Sequence, residues 1–275
     1  MAGYGCRSCA RPDVPAVALD TPQRAREGRA RRRRMLKMLA VLAAAGIGAA
    51  AGRRTGPWER TTADYAAGVG EQRTIRLADG TVVTMNTDTA LDVDQGSEER
   101  LIDLLRGEIH VAAGNGQGSM PRPFRVRTDF GTLRAWGTRF FVRLDALEAR
   151  LIVQQGAVEV RTWSGASRTA RAGETLRFNA GAVDRVMEDP LDQSSWMDGV
   201  LSVRDMPLGR FLSELGRYRK GIIACDHVVA TLPVSGVYQT ASTDKTLALV
   251  AASLNLSVSY RTRYWVTVGP RGADA

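Results

Sequence analysis

The sequence predicts a mainly β domain over residues 69–188 followed by a small α+β module over residues 189–275. Three observations predict it. From residue 69 onward, turn signals recur about every 8–12 residues between short alternating or β-branched runs. Apolar residues at helical spacing are confined to the last third of the chain. The change between the two textures falls at Asp189-Pro190.

In the β domain, Thr74 to Leu77 alternates, Asp79-Gly80 offers a type I′ hairpin turn, and Thr81 to Met85 returns as a β-branched run. Leu101 to Leu105 leads to Gly107, and Glu108 to Ala113 runs into the loop Gly114-Asn115-Gly116. Phe124 to Arg127 alternates again, and Phe140 to Leu144 follows Gly137. Leu151 to Val153 meets Gly156, Val158 to Val160 meets Ser164-Gly165, and Glu174 to Phe178 closes the series. Gly107, Gly137, Gly156 and Gly173 are read as bends where a Cβ would clash.

The module begins with the short strand Leu201 to Val203. Pro207 then opens a helix, suited by its fixed φ and missing N–H. Leu208, Phe211, Leu212, Leu215 and Tyr218 form one apolar stripe, and Gly221 ends the segment. Ile222 to Ala224 and Val234 to Tyr238 read as strands. A second helix opens at Asp244 and carries Leu247, Leu249, Val250 and Leu254, with Asn255 near its end. Val258 to Tyr260 and Trp265 to Val268 are the last strands, so the order is βαβ twice.

The net charge of +9 is a segment, not a surface field. Residues 1–54 hold twelve Lys and Arg against three Asp and Glu, while the rest of the chain holds equal numbers of the two signs. A neutral body cannot displace many counterions from a phosphate backbone, which argues against nucleic-acid binding. Arg24, Arg26, Arg29 and Arg31 to Arg34 precede an apolar stretch from Met35 to Gly52 that only Lys37 interrupts. At about 1.5 Å per residue, 15–18 helical residues span roughly 22–27 Å, close to a bilayer core of about 30 Å. Residues 35–52 therefore read as a transmembrane anchor or a cleaved signal. The run Arg32-Arg33-Arg34-Met35-Leu36-Lys37 fits either a twin-arginine export signal or a positive-inside flank. Residues 1–34 become a basic cytoplasmic tail, 53–68 a linker, and the bulk is expected in the periplasm of a single-pass inner-membrane protein.

Catalytic and metal-binding constellations are not found. Cys6 and Cys9 form a lone C-x-x-C without a second pair, and Cys225 stands alone beyond the anchor. His110 and His227 are far apart, and His110 reads as a surface or edge residue. Asp92, Asp94 and Glu98 miss calcium-loop spacing, and no helix start follows Gly114 to Gly118 to cradle a phosphate. The expectation is a protein that is not an enzyme and needs neither metal nor cofactor.

Six motifs in order carry a family resemblance over about residues 60–270. GEQRTIRLADGTVVTMNTDTALDV contains Leu77, Asp79, Gly80 and Asn86, and RLIDLLRGEIHV contains Gly107-Glu108. RPFRVRTDFGTLRAWGTRFFV holds Gly137-Thr138, VQQGAVEV holds Gly156, and ARAGETLRF holds Gly173-Glu174. The tail WMDGVLSVRDMPLGRFLSELGRYRKG holds Trp196, Gly199, Pro207-Leu208 and Arg217-Tyr218. The set resembles the FecR family of membrane-anchored sigma-factor regulators. The last segment resembles the small domain at the N-termini of secretins and TonB-dependent receptors.

The resemblance implies a transducer of cell-surface signalling. An extracytoplasmic-function sigma factor would be its cytoplasmic partner, the signalling domain of a TonB-dependent outer-membrane receptor its periplasmic one, and iron uptake its setting. The motif residues Asp79, Gly80, Gly107, Glu108, Gly137, Thr138, Gly156, Trp196, Gly199, Pro207, Arg217 and Tyr218 are expected to be mainly structural. The family layout places a folded sigma-binding domain before the anchor, whereas the segment 1–34 here lacks the periodicity of a helix bundle. That departure fits either a start late in the reading frame or a lost or replaced sigma-binding part, and the second leaves open an envelope structural or glycan-binding protein without a sigma partner. Within the module, Leu208, Leu212 and Leu215 are the expected docking surface, with the strand edge near Val234 to Tyr238 next in line.

Overall fold

The computed structural model describes residues 63–94, 100–113 and 124–272. The basic tail, the anchor segment, most of the linker, Cys6, Cys9, Glu98 and Gly114 to Gly118 lie outside the described residues. Among the described residues no helix is long and apolar enough to cross a membrane.

Among the described residues twelve strands follow one another without a helix: β1 (Tyr65–Ala66), β2 (Arg73–Arg76), β3 (Val82–Met85), β4 (Ala90–Asp94), β5 (Arg100–Arg106), β6 (Glu108–Ala112), β7 (Phe124–Thr128), β8 (Gly131–Leu144), β9 (Ala149–Thr162), β10 (Ser167–Arg171), β11 (Thr175–Phe178) and β12 (Val183–Val186). They form one sheet, ordered β1-β4-β5-β7-β8-β6-β3-β2, with β9 joining β8 to β10 and β11, and β12 on β11. Alternation decides which side chains fill it: Val126 and Phe124 on β7, Leu133 and Ala135 on β8, and Val158 and Val160 on β9 all pack inward.

Two readings of local geometry change. The β2–β3 turn is not type I′. Only Gly80 has positive φ (82°), its N–H donates to the Leu77 carbonyl, and the Asp79 carboxylate accepts from the Thr81 N–H at 2.9 Å. This is a longer loop closed by a left-handed glycine. Gly137 and Gly156 are not turns between strands; they lie inside the 14-residue strands β8 and β9, whose pairing register shifts between Trp136 and Phe140. A Cβ on Gly156 would sit 2.6 Å from the Thr138 methyl, so the glycine keeps buried Thr138 in place, whereas a Cβ on Gly137 meets nothing within 4 Å.

The module consists of β13 (Leu191–Asp192), a 3-10 turn (Ser195–Asp198), β14 (Val200–Pro207), α1 (Leu208–Gly216), β15 (Ile222–Cys225), β16 (Pro233–Gln239), α2 (Thr243–Ser253), β17 (Leu256–Thr262) and β18 (Trp265–Pro270). Its strands form two small sheets, ordered β13-β14-β16 and β15-β18-β17. Each βαβ half therefore crosses from one sheet to the other, β14-α1-β15 and then β16-α2-β17. Pro207 is the N-cap of α1 instead of its first helical residue, and Gly199 closes the 3-10 turn at φ 72°.

Helix α1 has nine residues, too few for an isolated helix to hold in water, so packing must hold it. Leu208, Phe211, Leu212 and Leu215 are at most 1% exposed. Each buried side chain of this size contributes about 1.5–3 kcal/mol. The expectation that Leu208, Leu212 and Leu215 offer a docking surface is therefore corrected: with sheets on two sides, a small module needs the whole stripe as core.

Candidate functional site

Strand β8 is apolar on both faces. Phe140 and Val142 point into the β core, while Phe141 joins the module's core together with Ile152 of β9. A continuous Phe140-Phe141-Val142 run is what a strand covered on both sides requires. The pairing register places His110, Phe141 and Ile152 side by side across β6, β8 and β9, and the His110 and Phe141 rings are 4.6 Å apart. The module sets Trp196, 2% exposed, edge-on to Phe141 at 5.9 Å. The Gln72 side-chain amide donates to the Trp196 carbonyl at 2.6 Å.

One register step along lies a charged row. Glu108 of β6 faces Arg143 of β8, which faces Arg150 of β9, which faces Arg177 of β11. Three guanidinium groups directly across neighbouring strands repel one another. Carboxylates neutralise them, and the module supplies two. Glu214 of α1 accepts from Arg143 at 2.8 Å, and Asp189 pairs with Arg150 and, at 2.7 Å, with Arg210. The β8–β9 turn provides Glu148 for Arg177 at 3.4 Å and Asp145 for Arg143 at 2.9 Å. An open groove beside this row is lined by Arg143, Arg150, Arg177 and Arg210, each already holding a carboxylate.

The exchange also runs the other way. Glu108, 1% exposed, accepts at 2.9 Å from Arg217 of the module and at 2.9 Å from the Asn86 amide. The same Asn86 nitrogen donates to the Tyr218 hydroxyl at 3.0 Å, and Thr87 donates to the Arg217 carbonyl at 2.9 Å. Gly107 makes this possible. At φ 87° a Cβ there would come within 2.3 Å of the Thr89 hydroxyl, so only glycine lets β6 begin with Glu108 turned to the module. The motif residues Gly107, Glu108, Arg217 and Tyr218, scattered in sequence, thus meet at one buried junction.

Burial and charge set the protonation states. Burial pushes the Glu214 carboxyl up, but Arg143, Arg217 and Arg210 outweigh it and hold it below the usual carboxylate value of 4.5. Burial raises the Tyr218 phenol to about 12, so it stays protonated. Burial, with Arg139 nearby, holds the His110 imidazole below 6.5, partly offset by a bond with Gln154. His110 is therefore not an edge residue but a neutral, 8% exposed side chain on an interior strand.

The signs give a pH profile. Below 6.5 the unfolded chain binds a proton on His110 that the folded chain resists, so stability declines as pH falls from there. The Glu214 contribution is complete above about 4.5 and is lost as pH falls through its lower folded value. Thermal melts of residues 55–275 are expected to be level between about pH 7 and 8 and to fall in two stages below that range. His110→Gln is expected to remove the upper stage; a midpoint unchanged between pH 7 and 5 in the parent protein would contradict this.

The remaining motif residues have local duties. Asp79 binds Arg100 at 2.5 Å beneath the β2–β3 turn, and Gly137, Thr138 and Gly156 shape the β8–β9 register shift. Asp92 accepts from the Asp64 N–H, and among the described residues no cluster of metal-ligating side chains occurs. Sequence reasoning did not single out Arg143, Arg150 or Glu214, and it read Asp189 only as part of the boundary between the two textures. Glu214 carried a signal, as a carboxylate between Phe211 and Leu215 on an otherwise apolar helix face.

Comparison with known proteins places this arrangement. Residues 63–159 match the family model described as FecR protein, which spans β1 to most of β9. No curated protein matches the chain significantly. Two crystal structures of a protein from Parabacteroides distasonis, provisionally described as an anti-sigma factor, are similar in fold, with TM-scores of 0.61 and 0.62. Each is 22% identical over 75% of this chain, and the match takes in 97% and 98% of those chains. Those crystallised chains consist almost wholly of the region that matches.

Proposed function

We propose that the chain, whose residues 63–159 match the FecR family model, is a regulator of that kind: a signal transducer that controls an extracytoplasmic-function sigma factor. The described domains would stand in the periplasm, tethered by residues 35–52. The C-terminal module would receive the signalling domain of a TonB-dependent outer-membrane receptor, and the sigma factor would answer at the cytoplasmic end. Iron uptake is the setting the family resemblance suggests.

The buried junction is the observation that carries this reading. A module fixed to the β sheet through Glu108, Arg143, Glu214 and Arg217 cannot be displaced alone, so a partner's binding energy bears on the β domain and its tether. No bond is made or broken in such a relay.

The test has two parts. Alkaline phosphatase fused after Leu77 is expected to be active, and a cytoplasmic reporter at the same place silent. Deleting the gene is expected to change transcription of an extracytoplasmic-function regulon by about tenfold, the effect of a shift near 1.4 kcal/mol in the sigma-binding equilibrium. An inactive phosphatase fusion removes the topology; an unchanged regulon with an active fusion removes the sigma role and returns the envelope reading.

A further inference from the structure

The sheet β15-β18-β17 turns Val266 and Val268 into the module's core, so Trp265 and Thr267 project from its opposite face. At one end of that face Ile222, Tyr264 and Trp265 are 62%, 47% and 46% exposed. They form one patch. Ile222 and Trp265 are partners in the parallel β15–β18 register, and the Ile222 N–H donates to the Tyr264 carbonyl at 2.7 Å. Gly221 allows this crossing, since a Cβ there would lie 2.2 Å from that carbonyl oxygen.

Cations surround the patch. The Arg261 guanidinium lies 5.6 Å from the Trp265 ring centre and that of Arg263 lies 4.5 Å from the Tyr264 ring, with Lys220 exposed beside them. None of the three forms an ion pair with a described residue, whereas neighbouring Arg219 holds Asp244 at 2.7 Å. The opposite sheet offers less, because Val237 is its one large apolar side chain that is well exposed among the described residues. Trp, Tyr and Arg around a small apolar centre are the residues that dominate protein interfaces.

We propose that Ile222, Tyr264 and Trp265, rimmed by Lys220, Arg261 and Arg263, are the module's protein-docking surface, and that the partner presents an apolar pocket edged with Asp and Glu. The unpaired cations select an acidic rim, because an arginine desolvated without a carboxylate would oppose binding. Three cations are fewer than the clusters of about four to eight that mark an anionic lipid surface. The proposal deepens the reading of the module as the receiving end, and moves the contact from α1 and the β16 edge to this sheet face.

Two measurements test it. First, residues 55–275 are titrated with the isolated signalling domain of a TonB-dependent receptor from the same organism. Trp265→Ala and the double variant Arg261→Glu, Arg263→Glu are expected to weaken binding about tenfold or more, while Val237→Asp leaves it unchanged. Circular dichroism checks that these exposed substitutions keep the fold. Second, a photo-crosslinking amino acid replaces Tyr264 in the full chain in cells, and the captured protein is identified by mass spectrometry. A crosslink lost on reversing Arg261 and Arg263, and regained when an acidic residue of that partner becomes lysine, supports the surface even if the receptor domain does not bind. Receptor binding that Val237→Asp abolishes and Trp265→Ala spares, or the absence of any crosslink from position 264, overturns it. The lipid arm uses vesicles of phosphatidylcholine with phosphatidylglycerol as the minor component. Binding of the parent protein to them, lost in the double variant and without a protein crosslink, would assign the patch to lipid and overturn the proposal as well.

Discussion

Glu108→Ala is expected to destabilise residues 55–275 by about 3–5 kcal/mol, the cost of leaving one member of a buried ion pair without its partner. The carboxylate is 1% exposed and accepts from both Arg217 and Asn86, so its loss leaves a largely buried guanidinium with only the longer pair to Glu214 at 3.4 Å and the Asn86 amide with only the Tyr218 hydroxyl. For a domain of this size the melting midpoint should fall by roughly 6–20 °C. Glu108→Leu combined with Arg217→Met should recover most of the loss, because the pair repays its desolvation poorly compared with apolar contacts. A double-mutant cycle by urea denaturation checks this. An additive cycle would show that the two groups do not interact in solution. If the junction relays a signal, the Leu and Met pair should restore stability and not inducibility, and a sigma-dependent reporter separates the two.

Leu212→Ala should cost about 2–5 kcal/mol, and Leu212→Asp should unfold the module. Leu212 is 1% exposed with Leu208 and Leu215 on either side of it in α1, and nothing on that stripe faces solvent. The near-ultraviolet signal of Trp196, edge-on to Phe141, reports loss of the module from the β domain. A Leu212→Asp protein that melts like its parent would mean that α1 is not packed as described. Loss of partner binding in either variant would follow from unfolding, so these positions cannot map a contact, in contrast to Trp265 and Arg261 at the surface.

What the sequence by itself determined is what nearest neighbours encode. Alternation at Thr74 to Leu77 and Phe124 to Arg127, the glycine turn after Asp79, the texture change at Pro190 and the stripe from Leu208 to Leu215 fixed two β-rich parts and both helices. The FecR motifs were legible for the same reason, as short runs with local spacing. Tertiary structure alone decided what covers each face. Periodicity reports that a face is apolar and is silent on whether solvent, a partner or another strand lies against it. Leu212 was therefore read as a docking surface, and His110 as an edge residue. The junction was out of reach because its partners lie far apart in sequence, 109 residues between Glu108 and Arg217 and 132 between Asn86 and Tyr218. No local pattern marks two buried charges as partners; only the register of β6, β8 and β9 beneath α1 brings each guanidinium to the carboxylate that offsets its burial.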